Sequence, residues 1–237
     1  MTAYRRFQPP STLPPGAATA TTAAVGRSTP SGVSATRRRA LAALAVGALG
    51  SALPSVANAE TRPLAPTPTD AEGPFYPRSL PADRDADLTR VAGRGGVARG
   101  TPLYLSGTVR RADGTPLPGT SVELWQCDAL GVYHHVGATE AQDENFQGYG
   151  VVVTDAEGRY AFKSIRPVPY PGRPPHLHLK LTPKSGSPLT TQLYVRGDGG
   201  PTSMSVGRDR DRLSLALAPA AGREPGALAA EYDFVLR

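Results

Sequence analysis

His176 and His178 stand two residues apart in a leucine-alternating stretch, residues 176–181, that reads as a β-strand. Side chains along a strand alternate between its faces, so both imidazoles project from the same side. That is half of a metal site, and equally a pair of histidines on the polar face of a half-exposed strand. Two tyrosines extend the pattern: Tyr133 in Gly131-Val132-Tyr133, and Tyr170 in Arg166-Pro167-Val168-Pro169-Tyr170-Pro171. A phenol with an ordinary pKa of about 10 is a poor ligand for a divalent ion. A hard trivalent ion lowers the pKa of an oxygen acid it binds and can hold it as phenolate. Two phenolates and a hydroxide would balance the charge of Fe(III), so this donor set favours Fe(III) over Zn(II). The alternative for the tyrosines is packing at the edge of a sheet.

The elements that must position these groups read as short strands. Residues 103–109, 121–126, 150–154, 159–165, 176–181 and 191–195 carry apolar alternation or β-branched runs, and residues 231–236 could close a sheet. Ala112-Asp113-Gly114-Thr115-Pro116 and Asp155-Ala156-Glu157-Gly158 supply hairpin-type turns. With 26 Gly and 25 Pro in 237 residues, this pattern predicts an all-β fold, an antiparallel β-sandwich over residues 103–237. Residues 60–102, with their Pro, Gly and charged side chains, read as an extended N-terminal arm over it. The Ala-rich stretch 219–230 leaves room for one helix. Trp125 is expected in the core, and Cys127 as a small buried filler.

The net charge of +6 would ordinarily suggest a nucleic-acid partner. Residues 1–59, however, hold Arg5, Arg6, Arg27, Arg37, Arg38 and Arg39 with no Asp, Glu or Lys, while the remainder carries 20 basic and 20 acidic residues and sums to zero. The charge therefore belongs to a leader, and nucleic acid is not expected as a partner. Residues 37–39 precede an apolar run over 41–53, followed by Ala57-Asn58-Ala59, a small-x-small cleavage pattern that places a mature start at Glu60. The run is shorter than the roughly 20 residues a spanning helix needs, so no membrane anchor is expected after its removal. Adjacent arginines before a weakly apolar segment fit a signal of the twin-arginine type and hence an exported protein. Residues 1–30 read as disordered. The single cysteine, Cys127, leaves no intrachain disulfide to form.

Several separated motifs, in one order, make the chain resemble the intradiol ring-cleavage dioxygenases, which include catechol, hydroxyquinol and protocatechuate dioxygenases. They are Glu72-Gly73-Pro74-Phe75-Tyr76-Pro77, Val122-Glu123-Leu124-Trp125-Gln126 with Gly131-Val132-Tyr133, Asn145-Phe146-Gln147-Gly148, Thr154-Asp155 to Tyr160, Pro169-Tyr170-Pro171, Arg173-Pro174-Pro175-His176-Leu177-His178 and Thr191-Gln192-Leu193-Tyr194. The resemblance implies Tyr133 and Tyr170 as phenolate ligands and His176 and His178 as nitrogen ligands of Fe(III). It implies Arg173 beside the bound substrate and Gln192 near the reacting carbon. It further implies that a catechol-type substrate and O2 are the small-molecule partners and that the product is of the cis,cis-muconate type. Relatives often associate, so a homo-oligomer is an expectation of the resemblance, although no interface is readable here. His134 and His135 follow Tyr133, but the family pattern assigns neither a ligand role, and both are expected to be solvated loop residues. Tyr76 could line the substrate pocket or pack the arm. The alternative function is an exported β-sandwich binding module of the same fold without turnover.

Overall fold

The computed structural model describes residues 62–134, 141–198 and 211–237. The export signal expected over residues 1–59 and the side chain of His135 lie outside them. Ten strands follow in chain order: β1 (Pro102–Arg111), β2 (Ser121–Trp125), β3 (Tyr149–Val153), β4 (Arg159–Ile165), β5 (His176–Thr182), β6 (Leu189–Val195), β7 (Ser214–Leu215), β8 (Ala218–Pro219), β9 (Leu228–Glu231) and β10 (Phe234–Leu236). Among the described residues no helix is long and apolar enough to cross a membrane.

The strands form two five-stranded sheets. One runs β3-β2-β5-β6-β7; in the other, β1 pairs with β4, β9 and β10, and β8 joins β9. Alternation explains their packing. Val122, Leu124, Leu177, Leu179, Leu181 and Leu193 of the first sheet are buried in one cluster with Leu103, Leu105, Val109, Phe162, Phe234 and Leu236 of the second. A shared apolar interior between two sheets is the sandwich the alternation predicts.

The all-β class and the arm stand, but pairing is mixed where it was expected to be purely antiparallel. β9 and β10 run parallel to β1, and β7 runs parallel to β6. The final segment returns to lie along β1 in β1's own direction, and hydrophobic alternation carries no information about strand direction. The helix left open over 219–230 is absent. Gly222 and Gly226 take positive φ there, and Ala220 N–H bonds to Ala227 O to close a turn between β8 and β9.

Between β9 and β10, Tyr232 N–H donates to Ser106 O at 2.9 Å, and Thr108 N–H donates to the Asp233 carboxylate at 2.7 Å. Gly107 is essential to this approach, because a Cβ there would stand 1.9 Å from Tyr232 O. Neither backbone can retreat without breaking its ladder. Gly107→Ala is therefore expected to cost about 3 kcal/mol and to lower the thermal midpoint by roughly 6–12 °C. Calorimetry of the two proteins reads this directly, and an unchanged midpoint would refute the tight approach.

The arm is tied into the sandwich by its backbone. Thr67 N–H donates to Val235 O, Asp70 N–H to Thr190 O and Leu88 N–H to Lys163 O, while Val151 N–H donates to Arg84 O. Leu88 is fully buried in the main core. The arm crosses the outer face of the β3-β2-β5-β6 sheet, the face that carries His176 and His178.

Candidate active site

Trp125 on β2 lies opposite His178 on β5 and Tyr149 on β3, and β6 places Gln192 opposite His178 and Tyr194 opposite His176. This row faces away from the shared interior and would be solvated on a bare sheet. It is buried instead under a second cluster, in which Trp125, Cys127, Tyr133 and Tyr149 pack with Phe75, Tyr76, Val168 and Tyr170 from the arm and two loops.

Each loop delivers its tyrosine by an identifiable device. Asp128, fully buried, accepts the N–H groups of Leu130 and Val132 on one oxygen; its other oxygen accepts Asp143 N–H and faces His134 Nε2 at 3.1 Å. With Gly131 at φ +81°, this fixes the tight turn that carries Tyr133. His134 is consequently tethered and largely buried, with a side chain 16 % exposed, and is not the solvated residue expected from sequence. Tyr170 and Arg173 close a four-residue turn with Pro171 and Gly172 at its corner, Gly172 at φ +78°. That is the pattern of a type II turn. Two hydrogen bonds between the backbones of Tyr170 and Arg173 hold both residues at the mouth of the site.

The predicted residues converge. His176 Nε2 lies 3.1 Å from His178 Nε2 and 3.4 Å from the Tyr133 hydroxyl. The Tyr133 and Tyr170 rings meet edge to face at 5.6 Å, and their hydroxyls interact. His176 Nδ1 donates to Pro174 O at 2.6 Å, which leaves the lone pair on Nε2 pointing into the cluster. Arg173 Nη2 donates to Gln192 Oε1 at 2.6 Å. Trp125 is buried as expected, in the cluster over the site and not in the main core, and its ring stacks on His178 at 4.9 Å. Phe75 of the arm stacks on Tyr133 at 4.3 Å and 8°. Tyr76 donates to Glu123 beside Trp125, and Tyr149 donates to the same carboxylate oxygen.

Burial sets the protonation states. It depresses the His176 pKa to about 4, with Arg173 adding to the effect and the Pro174 carbonyl opposing it. Burial also holds His178 well below the ordinary imidazole range, reinforced by His176 and Arg173. Both rings are neutral at pH 7, the form in which imidazole binds a metal. Burial pushes the Tyr133 phenol far above its ordinary value. Burial raises the Tyr170 phenol too, but less, because it is only half-buried, and Arg173 opposes the rise.

Two neutral imidazoles and two phenols fit a hard trivalent ion. Metal–nitrogen bonds of about 2.0–2.1 Å set neighbouring ligand atoms roughly 3 Å apart, the spacing seen here. Ionisation of a phenol as buried as Tyr133 requires a strong cation beside it. Of the four buried side-chain polar atoms without a hydrogen-bond partner among the described residues, His178 Nδ1, Arg173 Nε and Trp125 Nε1 belong to this site. Among the described residues no group of three His, Cys, Asp or Glu side chains stands together, and beside His176 and His178 the oxygen donors within reach are the tyrosine hydroxyls.

Sequence reasoning missed Asp128, Asp70 and the stacking of Phe75. An Asp three residues before a Gly was a legible turn signal for the first; nothing local marked the other two.

Comparison with known proteins identifies the family. The family model described as Dioxygenase matches residues 71–237. The chain is 36 % identical over 206 residues to the protocatechuate 3,4-dioxygenase beta chain of Burkholderia cepacia, covering 77 % of this chain and 86 % of that one. It is 32 % identical over 145 residues to hydroxyquinol 1,2-dioxygenase of Corynebacterium glutamicum, covering 53 % of this chain but only 45 % of that relative. Among solved structures, the dioxygenase domain of a dioxygenase carbohydrate-binding protein fusion from Streptomyces sp. SirexAA-E matches with TM-score 0.55 and 28 % identity, over 73 % of this chain and 98 % of that one. The chain belongs to the intradiol ring-cleavage dioxygenases, a family of oxidoreductases whose relatives here are named for catechol-type substrates.

Proposed function

We propose that the protein is a non-haem Fe(III) dioxygenase that opens catechol-type rings between their two hydroxyls, adding both atoms of O2 to give cis,cis-muconate-type products. The observation that carries this reading is the convergence on His176 Nε2 of the Tyr133 hydroxyl at 3.4 Å and His178 Nε2 at 3.1 Å, with the Tyr170 hydroxyl against that of Tyr133. Tyr133, Tyr170, His176 and His178 would hold the iron. When bound, the ion supplies Lewis acidity toward both catechol oxygens and a redox partner for the ring and O2.

The chain's own residues do the rest. His176 and His178 remain neutral and fixed, the first by Pro174 O and the second by the Trp125 ring. Tyr133, clamped by Phe75, stays buried. Tyr170 is less buried and lies beside Arg173, so its phenolate oxygen is the one placed to take a proton from a substrate hydroxyl. The Arg173 guanidinium stabilises negative charge that develops on a substrate oxygen as the ring loses aromaticity. The arm and the 166–175 loop keep bulk water from the reacting carbons.

A visible spectrum of the purified protein tests this reading. Tyrosinate-to-iron charge transfer is expected to colour it burgundy, added catechol is expected to shift the band, and the product is expected to be a ring-opened diacid carrying both atoms of labelled O2. A colourless, iron-free protein from iron-replete cells, with catechol recovered intact, would overturn it.

A further inference from the structure

The arm does more than cover the site. Gln192 Nε2 donates to Ala71 O at 2.6 Å, while Gln192 Oε1 accepts from Arg173 Nη2. These two contacts settle the amide orientation, since a flipped amide would set oxygen against a carbonyl and nitrogen against a guanidinium. The Tyr194 hydroxyl lies 2.7 Å from Asp70 Oδ2 and 3.0 Å from Gln192 Oε1, and it also meets the Arg173 side chain. A hydroxyl has one proton, and a carboxylate at 2.7 Å is the strongest acceptor within reach. With that proton committed to Asp70, the Tyr194 lone pairs face the guanidinium and accept from it.

Asp70 is only 9 % exposed. It is held by Asp70 N–H to Thr190 O, by Ala71 N–H to its own Oδ1 and by Thr191 Oγ1 to Pro68 O next door. Arg173 Nε, by contrast, is buried without a partner, so the guanidinium is held at its Nη end, by Gln192 and Tyr194.

We propose that Asp70, acting through Tyr194, is a positioning residue that aims the Arg173 guanidinium at the substrate, so that docking of the arm and assembly of the active site are one event. The part of this concerning turnover rests on the dioxygenase reading; the part concerning Arg173's placement does not.

Two measurements on the full-length chain separate the two. In the iron-loaded protein, Asp70→Asn is expected to leave iron content and the charge-transfer band unchanged and to lower kcat roughly tenfold, in the range typical of outer partners of a metal site. In an Arg173→Gln background the same change is expected to cost nothing further, because its effect runs through the missing guanidinium. Losses that multiply across the two substitutions would overturn the proposal. In the protein loaded with diamagnetic Ga(III), the Arg173 Nε–H resonance is expected to move and broaden in Asp70→Asn; an unmoved resonance would overturn it whatever the activity. Tyr194→Phe cuts the same connection and is expected to behave alike, which covers the case in which Asp70→Asn fails to fold. A resonance that moves in a protein unable to open any ring would sink the dioxygenase reading and leave the placement of Arg173 standing.

Discussion

Tyr133→Phe is expected to lower kcat/KM by more than about 100-fold, since losing a direct ligand should exceed the 10–100-fold cost of losing an outer partner. The substitution removes one oxygen and little else. The ring keeps its place in the buried cluster and its stack on Phe75, so the loss of stability should stay near 1 kcal/mol. What disappears is the hydroxyl 3.4 Å from His176 Nε2, in the surroundings where a phenol ionises least readily by itself. Iron content should fall and the visible band should weaken and shift, while far-UV circular dichroism stays that of the parent. A variant that kept both colour and turnover would show that this oxygen is not a ligand.

Arg173→Gln is expected to behave in the complementary way, losing roughly 10²–10³ in kcat, the range for removing one charge-stabilising donor, while the visible band of the resting protein persists. The guanidinium is no ligand, so the metal should remain. Lysine should not restore the rate, because a point charge on a flexible stem cannot reproduce a planar donor held at Nη2 by Gln192. Steady-state kinetics with a catechol series and metal analysis of the same preparations separate the two effects. Loss of iron together with activity would assign Arg173 a structural role instead.

The readable part of this molecule was the part written locally. Leu177, Leu179 and Leu181 alternate with His176, His178 and Lys180, so β5 and its polar face were legible before any pairing was known. The proline-framed Tyr170 and the Gly131-preceded Tyr133 advertise turns, and their family order tied them to the histidines. Strand direction was not legible: β9 and β10 reach β1 across more than 100 residues of chain, and nothing in Leu228–Glu231 states which way it will pair. The two-residue strands β7 and β8 are too short to leave a periodic trace. His134 was misread because its partner, Asp128, looks like an ordinary polar loop residue until its four contacts are seen together. The link from Asp70 to Tyr194 spans 124 positions, and only the three-dimensional fold brings its ends into register.

The parallel seam between β1 and β9–β10 has a consequence for when the molecule can come into being. Among the described strands β1 comes first in the chain, and part of its hydrogen bonding is satisfied only by residues 228–236. A nascent chain therefore carries an unfinished sheet from the emergence of β1 until residues 228–236 follow it, and non-local pairing of this kind is slow to form. Until that seam closes, β1 keeps an open edge, and the half-made protein depends on its surroundings to keep that edge from pairing with a stranger.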